Sequence, residues 1–445
     1  MFRSVFAAAI FLKAFILARW GYRFPDRRAL ERWQSRRVVR YLRRSLGATG
    51  FYRDRARSRL EDLPVINKQA MLANFQALNR HDISLETATA LALRAEAQRD
   101  FRPTLPGGIT AGLSSGTSGH RGVFLVSAGE RAAWAATILA RMLDARSFRQ
   151  LLNPFAPRLK VTLCLRANSN LYTAVRSLRL SFQFCDLLES MAQWLEAIAR
   201  FQPDILVAPA SVLRQLAAAQ TCGNLDIHPR QVISVAEVLE PDDALTLRRA
   251  WDCAPCQIYQ CTEGLLGQTC AAGNLHLNEE FVHIEPRWLD AAHDRFTPLI
   301  TDFTRTTQAF ARYHLDDVLR VDRRPCPCGK VTLRLASIEG RQDDTLWLSD
   351  ARDLALQPVF PDVLRQMMVT AAAVSDYRIA QRGNEWTVQL STPASTHDQV
   401  RRQVAEAIAG LCARLGWRVP TLNFAAWQPP AAGAKRRRIE CAQRP

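Results

Sequence analysis

The segments DILVAP (204–209), QVISVAEVLE (231–240) and CQIYQCTEG (256–264) decide the fold. Each begins with a short apolar run. The stretches between them, SVLRQLAAAQ (211–220) and DDALTLRRAW (242–251), have the apolar spacing of amphipathic helices. Apolar strands that alternate with such helices are typical of a parallel β-sheet with helices packed on its faces. We therefore predict an α/β protein whose ligand binds beyond the carboxyl ends of these strands.

The chain has 445 residues, which is too long for one ordinary hydrophobic core. After about Gly340 the pattern changes to strand, helix, two strands, helix and strand, which predicts a small α+β domain of roughly 100 residues. We predict a large α/β core domain with several subdomains over residues 1–340, and a small α+β domain over residues 341–445.

The composition is that of a globular protein, with 48% hydrophobic and 23% charged residues. The formal net charge of +17 permits an anionic substrate, nucleic acid or a membrane surface as partner. Most of the positive charge is arginine scattered through helical segments such as RRVVRYLRRSL (36–46), so we do not expect nucleic-acid binding. Because lysines are few, a lysine at a motif position is informative.

The first segment, MFRSVFAAAIFLKAFILARWGYRF (1–24), resembles a membrane anchor, but Lys13 interrupts its apolar run. The run is short of the roughly 20 apolar residues that a spanning helix needs. Arginines and aromatic residues suit an amphipathic helix that packs on the protein or lies on a membrane surface. Of these two we expect packing. We therefore expect no transmembrane segment and a cytoplasmic location, and the chain is compatible with a homodimer.

The loop SSGTSGHRG (114–122) is rich in glycine and hydroxyl groups, and its backbone N–H groups can wrap a phosphate. A Walker-type loop ends in Lys-Ser or Lys-Thr at the start of a helix. Here no lysine is present, and the apolar run VFLVS (123–127) predicts a strand. The loop is therefore not a Walker motif, and the positive charge for a bound phosphate has to come from elsewhere.

The order of motifs is more specific than any one of them: SSGTSG, SVAEVLE, YQCTEG, FARYHLDDVLRV, IEGRQDD and AKRRRI. This order resembles the adenylate-forming ligases, in particular the phenylacetate-CoA ligase-like branch and its relatives among the deazaflavin-cofactor adenylating synthetases. The resemblance covers nearly the whole chain. It implies ATP- and Mg²⁺-dependent activation of an aryl or acyl carboxylic acid as an adenylate, followed by transfer to a thiol of CoA or an acyl carrier protein.

Two alternatives stay open. In the first, adenylyl transfer to a cofactor or metabolite is the end of the reaction, as the deazaflavin-cofactor relatives imply. In the second, the chain is an arginine-rich zinc protein that binds nucleic acid, which predicts salt-sensitive binding without use of ATP.

The resemblance implies roles for the matching residues of the core domain. Glu263 would bind Mg²⁺, with Thr262 beside it, while Ala236 and Glu237 would line the adenine and acyl sites. The residues that would wrap the β- and γ-phosphates of ATP are Ser114, Ser115, Gly116, Thr117, Ser118 and Gly119.

The resemblance also implies that the α+β domain of residues 341–445 is a mobile lid, and further roles belong to residues near it. By resemblance Asp317 would bind the ribose, Arg341 the ribose or a phosphate, and Asp343 would be the hinge. Lys435 corresponds to the final catalytic lysine, although Ala434 stands where the family has glycine. The family also has a glycine-containing turn that receives CoA, whereas LWLSDARDLALQP (346–358) contains no glycine.

The cysteines, 11 in all, cluster in the sequence and do not suggest a secreted disulfide scaffold. The resemblance implies a structural Zn²⁺ site formed by Cys270, His276, Cys326 and Cys328. Three thiolates and an imidazole suit a closed tetrahedral site. Two other cysteines, Cys253 and Cys256, also have zinc spacing and could replace His276 or bind a separate metal ion. Alternatively, the clustered cysteines are small buried thiols that hold no metal. The cysteines expected in the hydrophobic core are Cys164, Cys185 and Cys222.

Overall fold

The computed structural model describes residues 2–114, 121–165, 179–187, 189, 191–341, 344–370, 374, 376–429 and 437–443. The chain forms two compact units. Unit 1 comprises Met1–Asp294, Pro298–Leu315 and Val321–Ala336, and unit 2 comprises Arg295–Thr297, Asp316–Arg320 and Ser337–Pro445. The assignment of residues 1–340 to a core and of residues 341–445 to a mobile lid stays a prediction.

The helices of unit 1 begin at side chains that satisfy free backbone N–H groups. Ser127 and Glu130 form a capping box, and the Asp26 carboxylate accepts a hydrogen bond from the Ala29 N–H. The helices are α1 Phe2–Ile16, α2 Arg27–Arg44, α3 Lys68–Ala73, α4 Leu85–Gln98, α5 Ala128–Met142, α6 Ala145–Leu152, α7 Met191–Phe201, α8 Ala210–Thr221 and α9 Pro241–Trp251.

A hairpin and a large sheet account for the strands up to residue 341. The hairpin pairs β1 with β2. The strands are β1 Thr110–Leu113, β2 Val123–Val126, β3 Leu159–Leu165, β4 Leu180–Asp186, β5 Ile205–Ala208, β6 Gln231–Val235, β7 Cys256–Cys261, β8 Gly264–Thr269, β9 Leu275–Leu277, β10 Val282–Trp288, β11 Arg295–Asp302, β12 Tyr313–His314, β13 Asp317–Val321 and β14 Arg334–Arg341.

The middle of this sheet is the predicted parallel arrangement. Strands β4, β3, β5, β6 and β7 lie side by side in that order and run parallel, and β8 and β9 extend them antiparallel. Every residue of β5 is buried, as expected for a strand covered on both faces. Ala236 and Thr262 therefore follow the carboxyl ends of two neighbouring strands, β6 and β7.

Beyond residue 341, unit 2 contains the predicted strand and helix pattern with two further strands. Its four-stranded sheet has the order β19, β18, β17, β20, and a separate hairpin pairs β15 with β16. Trp386 is fully buried in the core of this unit. The elements are β15 Leu346–Ser349, β16 Leu356–Val359, α10 Pro361–Thr370, β17 Asp376–Arg382, β18 Glu385–Ser391, α11 His397–Leu415, β19 Thr421–Ala425 and β20 Ile439–Gln443.

Among the residues that the model describes, no helix is both long and apolar enough to cross a lipid bilayer. The helix α1 instead packs on α5, as expected from the sequence.

Candidate active site and metal centre

The glycine-serine loop connects the two strands of the β1–β2 hairpin in unit 1. The Ser114 N–H donates to the Gly122 carbonyl at 2.8 Å, and the Gly122 N–H donates to Ser114 Oγ at 2.7 Å. These bonds hold the two ends of the loop together at β1 and β2. The other predicted phosphate-binding residues, Ser115, Gly116, Thr117, Ser118 and Gly119, lie outside the described residues.

Arg121 anchors the end of this loop, a role that the sequence did not reveal. Its guanidinium forms two hydrogen bonds with the Glu96 carboxylate of α4, at 2.7 and 2.6 Å. Its Nε also donates to the Ser114 carbonyl at 3.0 Å. Such a two-point contact fixes the direction of the side chain as well as its charge. Arg121 therefore joins the base of the loop to α4.

The turn after β6 has a strained backbone. Ala236 has φ of +65°, in the left-handed region, which costs roughly 1–2 kcal/mol for a residue with a Cβ. The next residue, Glu237, accepts a hydrogen bond from the Ser211 N–H at 2.9 Å, in the first turn of α8. The Glu237 carboxylate thus caps a neighbouring helix, while the strained backbone marks the carboxyl end of β6 as a site candidate.

Glu263 lies half-buried in the tight turn between β7 and β8. Thr262 Oγ1 donates to Glu263 Oε2 at 2.7 Å. Arg305 donates from Nη1 to the Thr262 carbonyl at 3.3 Å and from Nη2 to the Leu125 carbonyl at 3.2 Å. Arg305 therefore links this turn to β2, the strand that follows the glycine-serine loop.

A buried carboxylate, Asp302, and a half-buried one, Glu130, lie next to Arg305. Burial raises the pKa of Asp302 to about 6, although hydrogen bonds from Thr304 and the charge of Arg305 oppose the rise. Burial also disfavours a charge on Glu130, but Arg305 and hydrogen bonds from Thr307 and Ser127 outweigh it and lower the Glu130 pKa. These carboxylates and Arg305 form one polar network beneath the turn.

The network explains the glycine that follows Glu263. A Cβ at Gly264 would lie 2.9 Å from Asp302 Oδ2, closer than real Cβ atoms come to such an oxygen. Glycine is thus required for the turn to pack on the buried carboxylate.

In unit 2, two of the predicted residues come together. Arg341 Nε lies 3.7 Å from Asp317 Oδ1. The Arg341 N–H donates to Asp344 Oδ2 at 2.7 Å, and Arg437 Nε donates to Asp344 Oδ1 at 2.6 Å. Asp344 therefore holds Arg341 and Arg437 in one cluster. The predicted hinge residue Asp343 and the predicted catalytic Lys435 lie outside the described residues.

The four predicted metal ligands of unit 1 form a compact cluster. Their ligand atoms all lie within 4.8 Å of one another, in the group Cys270, His276, Cys326 and Cys328. Cys270 Sγ and Cys326 Sγ are 3.7 Å apart, and Cys328 Sγ and His276 Nε2 are 3.6 Å apart. In tetrahedral zinc sites, bonds of about 2.3 Å to sulfur and about 2.0 Å to nitrogen place two sulfurs about 3.8 Å apart, and sulfur and nitrogen about 3.5 Å apart. The cluster could hold a metal ion.

Neighbouring groups orient these ligands. His276 Nδ1 lies 3.1 Å from the Thr332 carbonyl, which leaves Nε2 free to face the thiols. Asn274 Nδ2 donates to Cys326 Sγ at 3.3 Å. Burial favours the neutral thiol at Cys326, but hydrogen bonds from the Cys328 N–H and the surrounding side chains outweigh it and lower its pKa to about 6. A lowered pKa favours the thiolate, which is the metal-binding form.

The other cysteines have different surroundings. Within the described part of the chain, Cys253 and Cys256 are not members of the four-ligand group, and they pack against separate apolar clusters. Cys164 and Cys185 are buried, as expected. The expectation for Cys222 was wrong: its side chain is exposed because it follows the last residue of α8.

No protein-family model and no curated protein sequence matches the chain. Solved structures do match its fold. A 2-hydroxyisobutyryl-CoA ligase in the postadenylation state, in complex with R3-HIB-AMP, has a TM-score of 0.60 and 17% identity, covering 93% of this chain and 88% of the ligase. An open conformation of 2-hydroxyisobutyryl-CoA ligase, in complex with 2-HIB-AMP and CoA, has a TM-score of 0.56 and 16% identity over 91% and 90% of the two chains.

A third structure, ATP-bound MatB from Rhodopseudomonas palustris, has a TM-score of 0.50 and 13% identity over 74% of this chain and 65% of that one. The fold of this protein is therefore that of the adenylate-forming ligases. This finding confirms the fold that the order of motifs predicts.

Proposed function

We propose that this protein is an adenylate-forming ligase of the phenylacetate-CoA ligase-like kind. A carboxylate oxygen of the substrate attacks the α-phosphorus of ATP, the bond to the β-phosphate oxygen breaks, and pyrophosphate leaves. The observation that carries the proposal is the fold, which the chain shares over 93% of its length with a ligase in complex with an acyl-AMP compound. The predicted motif residues also follow the ends of neighbouring strands, where α/β sheets bind ligands.

In this proposal unit 1 supplies the phosphate and metal contacts. The loop that starts at Ser114 wraps the β- and γ-phosphates, and the Glu263 carboxylate binds Mg²⁺, which prefers hard oxygen donors. Thr262 orients Glu263 through the hydrogen bond of 2.7 Å between their side chains. Ala236 and Glu237 lie beside the adenine and acyl groups. The left-handed backbone at Ala236 supports this assignment, because such strain is common at binding sites.

The residues of unit 2 complete the reaction. Asp317 accepts hydrogen bonds from the ribose hydroxyls, and Arg341, held 3.7 Å from it, contacts the ribose or a phosphate. Lys435 stabilises the negative charge that develops on the phosphoryl oxygens. Residues 341–445 act as a lid that turns at Asp343 and brings Lys435 in for adenylation only. We expect Lys435→Ala to slow pyrophosphate release by roughly two to three orders of magnitude, and an unchanged rate would contradict its role.

The thiol of CoA is the proposed acceptor in the second step, with an acyl carrier protein as the alternative. The turn between β15 and β16 has no glycine, yet Leu354 has φ of +65° there. The backbone thus adopts at Leu354 the conformation that a glycine would adopt without strain. This geometry supports the proposal that the turn between β15 and β16 receives CoA, although it contains no glycine.

We also propose that the cluster of three cysteines and His276 holds a structural Zn²⁺. The distances of 3.7 Å between two sulfurs and 3.6 Å between sulfur and nitrogen suit tetrahedral coordination. Four protein ligands leave no open position for a substrate or water, so the ion would stabilise the fold and not take part in the reaction.

An ATP–pyrophosphate exchange screen across aryl and alkyl carboxylic acids tests the proposed function. We expect exchange that depends on one acid or a narrow class of acids. Exchange without onward transfer to CoA would favour the adenylyl-transfer alternative. No exchange with any acid, together with salt-sensitive binding to DNA or RNA, would refute the proposal in favour of a nucleic-acid-binding protein.

A further inference from the structure

The helix α1 exposes an apolar stripe to solvent. Four large side chains on it are exposed: Phe6 by 69%, Leu12 by 59%, Ile16 by 46% and Trp20 by 44%. Trp20 lies in the π-helical turn Leu17–Gly21 that continues α1. Because helical residues four apart lie on one face, Leu12 and Ile16 form a row, and Trp20 continues it at the edge, where its ring also contacts Phe148 of α6 with the centroids 5.5 Å apart.

The opposite face of α1 is already packed on unit 1. Phe15 stacks on Phe148 of α6 with their ring centroids 6.0 Å apart. Arg19 donates to the Ala140 carbonyl of α5 at 2.9 Å. The helix α1 is thus held in place by one apolar face that packs on α5 and α6, and the exposed stripe is a second apolar face.

The charge of α1 and of the segment that follows it is predominantly positive. Residues 1–25 contain no Asp or Glu, and the exposed Lys13 lies within the stripe. The next helix, α2, buries Leu30, Val38 and Leu42 and exposes a series of arginines at four-residue spacing. These arginines are Arg28, Arg32, Arg36 and Arg40.

We propose that this surface docks on an anionic lipid bilayer. The stripe of α1 would enter the boundary between headgroups and acyl chains, as amphipathic interfacial helices do, and the α2 arginines would contact the anionic headgroups. Charge complementarity favours this partner, because the chain carries a formal charge of +17 and residues 1–25 contain no acidic side chain. The proposal does not depend on the proposed ligase function.

A second copy of the chain fits the stripe less well. At roughly 100 Å² of exposed area each, four side chains offer about half of the ~800 Å² that each partner contributes to a standard interface. A symmetric contact would also place Lys13 and its neighbouring arginines against their own copies, with like charges opposed.

Vesicle flotation tests the proposal with the full chain. We expect it to bind vesicles of phosphatidylcholine with 30% phosphatidylglycerol, to bind pure phosphatidylcholine far more weakly, and to dissociate as salt screens the charge. Leu12→Glu should reduce binding at least tenfold, while Leu245→Glu, an equally drastic change at a leucine 53% exposed on α9, should not. Both variants should melt at the wild-type temperature, since neither side chain is buried.

The charge contribution is tested separately. Each arginine near an anionic surface adds about fivefold to binding, so Arg32→Gln with Arg36→Gln should reduce it roughly 25-fold. The control pair, Arg402→Gln with Arg414→Gln on α11, removes the same charge from exposed positions elsewhere. Three results would each overturn the proposal. In the first, the wild type does not bind the anionic vesicles. In the second, the variants and their controls lose vesicle binding equally. In the third, the protein forms a concentration-dependent dimer that Leu12→Glu abolishes.

Discussion

Replacing Cys328 with serine tests the metal centre most sharply. The ligands Cys270 and Cys326 are 56 residues apart in the chain, so an ion that joins them closes a long loop. Closing a loop of that length removes about 4 kcal/mol of chain entropy from the unfolded state, by the relation used for disulfide cross-links. We therefore expect Cys328→Ser to lose bound zinc and about 4 kcal/mol of unfolding free energy, which lowers the melting temperature by roughly 5 °C.

The assay combines elemental analysis of the purified protein with thermal melting before and after a chelator. Wild-type protein should contain close to one zinc per chain and should melt at a lower temperature after chelation. Cys222→Ser is the matched control, because Cys222 is exposed and lies outside the cluster. The metal centre would be refuted if wild-type protein purified without any chelator contained almost no zinc. It would also be refuted if Cys328→Ser and Cys222→Ser lost equal amounts of stability.

Three further predictions follow from the described contacts. Ala236→Gly should raise the unfolding free energy by about 1 kcal/mol, because glycine adopts φ of +65° without strain; a lower melting temperature would contradict the left-handed backbone. Since burial raises the pKa of Asp302 to about 6, the native state keeps a proton that the unfolded chain releases near pH 4. Stability should therefore fall as the pH rises from about 4 to about 6, and urea unfolding of Asp302→Asn should show this fall reduced by about 3 kcal/mol. Arg305→Lys loses the two-carbonyl contact at the Thr262 turn and should raise the Mg²⁺ concentration for half-maximal pyrophosphate exchange about tenfold; an unchanged Mg²⁺ dependence would argue against a positioning role.

Local patterns predicted the parallel sheet well, because β5, β6 and β7 are short apolar runs separated by amphipathic helices. They missed β16, Leu356–Val359, a short strand that contains Pro358, and β20, Ile439–Gln443, which directly follows a basic run. β16 forms a local hairpin with β15, but its proline is untypical of a strand, whereas β20 pairs with β17, far earlier in the chain. Such pairing depends on the tertiary fold and leaves no periodic signal in so short a segment.

In the candidate site, too, the sequence predicted residues that stand in local motifs and missed residues whose role depends on contacts with distant parts of the chain. Glu263, Asp317 and Arg341 stand in recognisable motifs, and the resemblance also singled out the four metal ligands. Arg305 and Asp302 were missed, since their significance comes from contacts made far along the chain, such as that between Arg305 and Leu125, 180 residues apart. The left-handed backbone of Ala236 was missed too, because alanine gives no local hint of a positive φ.

The most direct test of the central claim is ATP–pyrophosphate exchange by Glu263→Gln, with the best acid from the panel as substrate. Glu385→Gln, at an exposed position on β18, serves as the control for the same chemical change. We predict acid-dependent exchange by the wild type and the control, and a loss of 100-fold or more in Glu263→Gln, which is the usual scale for removing one preorganised charge partner. Equal exchange by all three proteins would contradict the assignment of Glu263, and no acid-dependent exchange by the wild type would contradict the ligase function itself.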